Sequence, residues 1–452
     1  MIRGFMKTSS RTALLAAAGL LMGSYAFGPA KAADLGASCC GDLEERVAEL
    51  EATTARKGNR VVSLQVYGQV NKAFLNWDDG DESDTFVVDN DNSGSRLGFT
   101  GKATMMPGWT AGYLLEFDFQ DSASDKVTNT GFKSATAGVD ADELNNNEIV
   151  IRYNEGYIEH ERYGRFSLGQ GSSAADGINE IVLGNSLRNS DLQWNNSFRL
   201  RLADGTLANF NWAQTAGNLD GGRDDRIRWD SPSLYGFILS ASWGDNDYWD
   251  TALRFKKEWN SIRIAAGIGY QWDGTEDSSP IPGPYRAGET IAGTLLTGNN
   301  AGSTSSYLDA FSSFEVISGS LSMQHIPTGL YFAFAAGEKD YDEFDNDPSF
   351  WYLQLGVERK WLPYGSTTIY GEYSQYNDFN RALLTINAGA TATTVGANLD
   401  SEVERWGFGI VQKFDSAAME IYGQAVFWSY EDNTAVAYED LTQFMVGSRI
   451  KF

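Results

Sequence analysis

The only two histidines, His160 and His325, stand beside short polar turns, with no nucleophile elbow, metal-ligand spacing or phosphate loop around them. General acid-base and nucleophilic catalysis therefore have no residue set to work with, and neither an enzyme activity nor a cofactor is expected. What the chain does hold is fixed charge. Acids crowd two stretches: Asp78, Asp79, Asp81, Glu82, Asp84, Asp89 and Asp91, then Glu338, Asp340, Asp342, Glu343, Asp345 and Asp347. The plainer reading is a solvated acidic face; the sharper is Ca2+ or Mg2+ bound by the carboxylate oxygens, although no calcium-loop spacing is met. Basic groups recur at alternate positions, Arg96 and Lys102, Arg152, and Arg226 and Arg228, with Arg199 and Arg201 in a nearby turn-rich stretch. Their chemistry is a static field on a passing solute, or simple ion pairing that spaces strands.

The elements that carry these charges are clearest at the C-terminus. From Leu441 onward Phe444, Val446, Ile450 and Phe452 share one side with Ser448, while Gln443, Gly447, Arg449 and Lys451 share the other. Either a sandwich strand or a barrel strand with lipid outside and water inside fits this pattern; the terminal Phe452 resembles the last-strand signature of outer-membrane barrels, which the barrel-assembly machinery reads. Leu64, Val66 and Val70 alternate in the same way with Gln65, Tyr67, Gln69 and Asn71, and Trp109, Ala111, Tyr113, Leu115, Phe117 and Phe119 alternate with Glu116, Asp118 and Gln120. Short connections (Met105 to Gly108, Glu161 to Gly164, Ser231 to Tyr235, Lys257 to Asn260, Ile326 to Gly329, Leu362 to Gly365, Asp415 to Ala417) alternate with long ones. The long set is Trp77 to Ser93, Asp121 to Asn146, Gly171 to Gly222, Asp273 to Phe311, Glu338 to Pro348, Asn377 to Asp400 and Glu431 to Asp440, with Asp245 to Asp247 breaking the size rule. Segregated loop lengths are a membrane-barrel trait. The count is sixteen strands, or eighteen if the hairpin within Phe198 to Trp212 also crosses.

Composition supports export to a membrane. Arg3, Lys7 and Arg11 precede the apolar run Ala13 to Leu21, and Ala30-Lys31-Ala32 fits signal peptidase, so residues 1–32 read as a signal peptide. Cleavage leaves 420 residues and, with four basic groups removed, takes the formal charge from −25 to −29. Nucleic acid is thereby not expected as a partner. No stretch after residue 32 has the roughly 20 apolar residues of a spanning helix, so a membrane protein of this composition must be a closed barrel. Residues 33–60 hold the adjacent cysteines Cys39 and Cys40 and a helical stretch, Asp42 to Lys57, with Leu43, Val47, Leu50 and Thr54 at coiled-coil spacing. A periplasmic stalk and a solvated single helix are both open.

Asp42 to Asn59, the passage from Gly169-Gln170-Gly171 to Asp176-Gly177, Arg223 to Pro232 and the terminal Phe452 together resemble the outer-membrane porins of alphaproteobacteria. The resemblance runs over residues 34–452. It implies an all-β, sixteen-stranded antiparallel barrel over residues 61–452, assembled as a homotrimer in the outer membrane of a Gram-negative bacterium. It further implies that the third outer loop, residues 171–222, folds inward. That loop's acids, Asp176, Glu180 and Asp191, would then face the basic groups of the opposite wall and set up a transverse field. The function so implied is passive diffusion of small hydrophilic solutes and ions through a water-filled channel; the acidic outer loops add a preference for cations, and beside lipopolysaccharide phosphates their sharper reading is divalent-cation binding. A channel selective for a sugar or anion, and a structural or adhesive barrel, are the alternatives.

Overall fold

The computed structural model describes residues 61–119, 122–129, 131–132, 149–186, 197–245, 247–274, 313–342, 347–388 and 391–452. The signal segment, Cys39 and Cys40, the Asp42 to Lys57 helix and Asp191 lie outside them.

Alternating side-chain polarity with Gly, Asn and Ser punctuation yields sixteen long strands. The first eight are β1 (Gln65–Asp78), β2 (Arg96–Met106), β3 (Trp109–Phe119), β4 (Ile149–His160), β5 (Gly164–Ser172), β6 (Arg223–Asp230), β7 (Phe237–Gly244) and β8 (Tyr248–Trp259). The rest are β9 (Ile262–Asp273), β10 (Phe314–His325), β11 (Leu330–Tyr341), β12 (Ser349–Leu362), β13 (Gly365–Asn377), β14 (Glu402–Phe414), β15 (Met419–Glu431) and β16 (Leu441–Lys451). Each pairs antiparallel with its neighbours, and β16 closes the sheet on β1, Gln69 opposite Lys451 through to Asp78 opposite Thr442. Gly68 and Phe452 exchange backbone hydrogen bonds at 3.0 Å to finish the seam. Closure removes the open edges that neither water nor lipid could satisfy inside a bilayer.

The hairpin of Arg199–Arg201 with Leu207–Asn211 pairs only with itself, so it does not cross and the strand count is sixteen. Three outer loops carry further strands: Ser83–Asp89 returns along the outer half of β1, Val127–Thr128 pairs with Gly131–Phe132, and Arg381–Ala388 pairs with Thr391–Asn398. The short turns fall where sequence places them, with one shift. β8 runs on through Trp259, and the turn is Asn260-Ser261 rather than Lys257 to Asn260. Both residues take positive φ (48° and 68°), the left-handed geometry of a two-residue hairpin loop, which leaves Lys257 and Glu258 free to stay in register.

The faces sort by solvent. On the outside Phe74, Leu168, Trp243, Ile268, Ile317, Leu355 and Phe408 are each more than half exposed. Inside, Ser240, Ser242, Ser318, Ser322, Gln354 and Gln424 are buried, and hydroxyl and amide groups dominate. In the last strand Phe444, Val446, Ile450 and Phe452 lie on the outer face as the alternation requires, with Arg449 and Lys451 on the other. No described helix is long and apolar enough to span a membrane; the chain crosses with strands.

Candidate functional site

Arg226 and Arg228 alternate on β6 with the outward Ile227 and Trp229, and register sets them beside Gly169 and Ser167 of β5. Arg226 is buried: Nη2 donates to Glu155 Oε2 at 2.5 Å, Nε to the Ser172 carbonyl at 2.8 Å and Nη1 to the Gly169 carbonyl at 3.2 Å. Glycine at 171 makes the room, since a Cβ there would lie 2.7 Å from Arg226 Nη2 and 2.8 Å from Glu155 Oε2. Arg165, stacked 3.7 Å over Tyr157, supplies a second cation to Glu155 at 2.9 Å. Arg228 donates to Asp230 at 2.7 Å and to the Ser173 carbonyl at 2.7 Å. Arg254, which sequence reasoning passed over, donates to the carbonyls of Ala174 (2.7 Å) and Asp176 (2.8 Å). These arginines spend their donors on acids and on the backbone of residues 169–176, holding the point where the third outer loop leaves β5.

From there the loop segment 173–186 is bonded to inner-face groups of successive strands. Asp250 of β8 accepts from the Ala174 N–H at 3.0 Å and the Ala175 N–H at 2.7 Å. Ser320 of β10 donates to the Ile178 carbonyl at 2.5 Å, Ser322 accepts from the Leu183 N–H at 3.0 Å, and Ser186 donates to Gln354 of β12 at 2.8 Å. Ile178 sits over Gly267 of β9, where a Cβ would come within 2.5 Å of its Cδ1. The returning limb passes β9 and β10, the Leu219 carbonyl accepting from Gln271 (3.2 Å) and Ser318 (3.1 Å).

The two limbs meet at an acid that sequence reasoning also missed. Asp220 accepts from the N–H groups of Gly177 (2.7 Å) and Asn179 (3.1 Å). Burial, then the charges of Glu180 and Asp176, push its carboxyl well above the ordinary range. Asp176 accepts a short hydrogen bond from the Ser172 hydroxyl and lies 3.9 Å from Arg223. Asp176 and Glu180 are thus brought together, around Asp220. Nothing in the local pattern marks Asp220; only the chain reversal does.

Arg199 and Arg201 join neither wall. Arg199 Nε closes its own hairpin on the Ala208 carbonyl at 2.6 Å. Arg201 reaches the first outer loop, donating to Asp79 Oδ2 from Nη2 (2.8 Å) and Nε (3.1 Å), with Glu82 at 3.3 Å and Asp81 at 3.8 Å. Burial raises the Asp79 carboxyl, but Arg201, the Glu82 N–H and the Asn129 amide outweigh it and leave it below its usual value. The first acidic stretch is therefore partly consumed as an anchor. Trp212 packs on Trp428 at 5.7 Å and Phe198 on Trp77 at 5.4 Å, while the Ala203 N–H donates to the Ala437 carbonyl at 2.9 Å. The hairpin so bridges outer loops one and eight.

On β2 to β4, Arg96 lies 3.6 Å from Glu116, and Arg152 bonds Glu116 at 3.0 Å and Asp118 at 3.1 Å. Lys102 is exposed near the other end of β2, its N–H accepted by Ser63, apart from the rest. Barrel closure adds neighbours: Gln69 of β1 stands opposite both Arg96 and Lys451, and Glu420 of β15 opposite both Arg449 and Lys413. Arg449 and Lys451 are legible from sequence as inner-facing, but their adjacency to Arg96 appears only when β16 meets β1.

Among the described residues no group of three or more His, Cys, Asp or Glu is placed to hold a metal. His160 stacks with Tyr163 and lies against Trp109, both at 4.6 Å, and His325 Nδ1 meets the Thr328 hydroxyl at 2.8 Å.

Comparison with known proteins agrees with this architecture. Among curated proteins no sequence matches the chain. OmpT folded in vitro, an outer membrane protein of Vibrio cholerae, superposes with a TM-score of 0.51 at 12% identity over 88% of this chain and 99% of that one. An anion-selective porin from Comamonas acidovorans gives 0.50 at 13% identity, over 86% and 100%. At such identity the likeness is one of fold. A sequence model of the Gram-negative porin family matches residues 13–433. The chain belongs to the Gram-negative porin family and is a protein of the outer membrane.

Proposed function

We propose that the barrel is a water-filled channel for passive diffusion of small hydrophilic solutes and ions, narrowed by residues 171–222 folding inward. The carrying observation is the bonding of segment 173–186 to inner-face groups of β8, β10 and β12. Water is the only solvent in which so many inner-facing Ser, Gln, Arg and Glu groups are stable at membrane depth. Across the narrowing, Asp176, Glu180 and Asp220 stand on the loop; the basic wall is Arg96, Lys413, Arg449 and Lys451, of which the first three lie beside Glu116, Glu358 and Glu420. Most remaining inner arginines are neutralised by Glu155, Asp230, Glu116 and Glu372. The acids of the loop and of the outer rim then set the mouth's field, which favours cation entry. No enzymatic role is assigned.

A homotrimer is the assembly this outer surface supports. Asn154, Gln170 and Asp225 form one polar row across β4, β5 and β6, and Lys72 opposes Ser448 on β1 and β16, all on the outer face. Polar side chains at membrane depth cost free energy against lipid and are better placed against another protein. From β7 to β14 the mid-barrel outer face is apolar. Swelling of proteoliposomes in neutral sugars of increasing size tests the function: rates should fall steeply with solute size. Swelling no faster than that of protein-free vesicles would refute an open pore.

A further inference from the structure

The outer face of β9 to β14 carries an open apolar groove of about 770 Å³. Its origin is one missing side chain. Register places Phe332, Leu355, Gly371 and Phe408 in a single row across β11 to β14, so glycine leaves a slot between two large walls. Ile369 floors it on one side, and a Cβ added at Gly371 would touch only the Gly407 carbonyl, at 3.8 Å. The slot follows β13 toward its short-turn end, where Thr367 stands opposite Arg359 on one side and Gln412 on the other. From Gly371 to Thr367 is a run of about 13 Å.

Charge at that end has one notable member. Lys360 pairs with Asp415 at 3.2 Å and Lys413 lies 3.9 Å from Glu358, but Arg359, exposed and on the outer face, has no acidic partner among the described residues. His325, also on the outer face, closes the same end of the groove.

We propose that this groove is a binding site for one phospholipid of the inner, periplasmic leaflet, an acyl chain lying over Gly371 and Ile369 and the phosphate meeting Arg359. An apolar slot of membrane depth ending in an unpaired guanidinium matches an anionic head on a hydrocarbon tail. A second copy of the chain fits less well, because this apolar face lies away from the polar rows on β1, β16 and β4 to β6. The site rests on the outer-membrane location and not on conductance.

Native mass spectrometry of the full chain, purified in detergent and supplied with phosphatidylglycerol, provides the test. Wild type should retain one phospholipid per chain through detergent washing. Gly371→Leu, which fills the slot, and Arg359→Gln, which removes the charge-assisted bonds, should each lower retention about tenfold. Ile317→Ala, outward-facing but beyond the groove, should leave it unchanged. Circular dichroism checks that each variant is folded; if Gly371→Leu is not, Arg359→Gln decides alone. Equal retention in all variants would overturn the site, as would cross-linking of Gly371→Cys to a second copy in native membranes.

Discussion

One buried ion pair helps to hold the third outer loop in place. Removing the Arg201 guanidinium leaves Asp79, buried at 2% exposure, without its main counter-charge. Breaking a buried pair from one side costs about 3–5 kcal/mol. Arg201→Ala should therefore lower the local opening free energy of residues 197–211 by about that amount, read as faster amide hydrogen exchange there. Unchanged exchange would show the aromatic contacts suffice. Because the Asp79 carboxyl is depressed below its ordinary 3.8, this contribution is present above that value and is lost only as pH falls through the depressed one. Asp220 behaves oppositely. Its carboxyl is raised, so it is neutral in mild acid and gains charge, at a cost to loop stability, as pH climbs above the usual carboxylate range. Cation preference measured by reversal potential should thus grow across that interval in the wild type, and Asp220→Asn should flatten the rise. An identical pH profile in both would remove Asp220 from the pore's field.

At the scale of elements, the loop limbs are held by packing as much as by polar bonds. Trp212, 1% exposed against Trp428, should cost about 3–5 kcal/mol of docking on replacement by alanine. Limited proteolysis within residues 197–222 should then accelerate while the strands stay resistant; equal protection would contradict the docked hairpin. Strands were the legible part of the sequence. Period-two polarity in Leu441–Lys451 and Trp109–Phe119 placed their residues on the correct faces, because a pleated ribbon between two solvents leaves no other choice. Turns were legible wherever glycine or a short polar run interrupts the alternation. The Asn260-Ser261 turn was misplaced because Lys257 and Glu258 look like turn residues yet continue β8 to its exposed rim. The site was only partly legible. Arg226, Arg228, Asp176 and Glu180 follow from position, but Asp220, Arg254 and the Arg96 to Lys451 proximity depend on contacts 30 or more residues apart. Arg201 was visible as a charge and not as an anchor, since its partner Asp79 is 122 residues away.

For the molecule as a whole, the outer surface divides into a polar sector and an apolar one. Asn154→Leu discriminates between them. Facing another copy, Asn154 contributes to association, and the leucine variant should show less trimer in mild detergent by mass photometry. Facing lipid, the same change would leave oligomer size alone and stabilise the barrel.

The most direct test of the central claim is single-channel conductance of the folded protein in a planar bilayer, with the reversal potential taken in a salt gradient. Stepwise openings, grouped in threes and favouring cations, are expected, with a weaker preference when Asp176 and Glu180 are neutralised. A demonstrably folded, inserted protein that passes no current would contradict it.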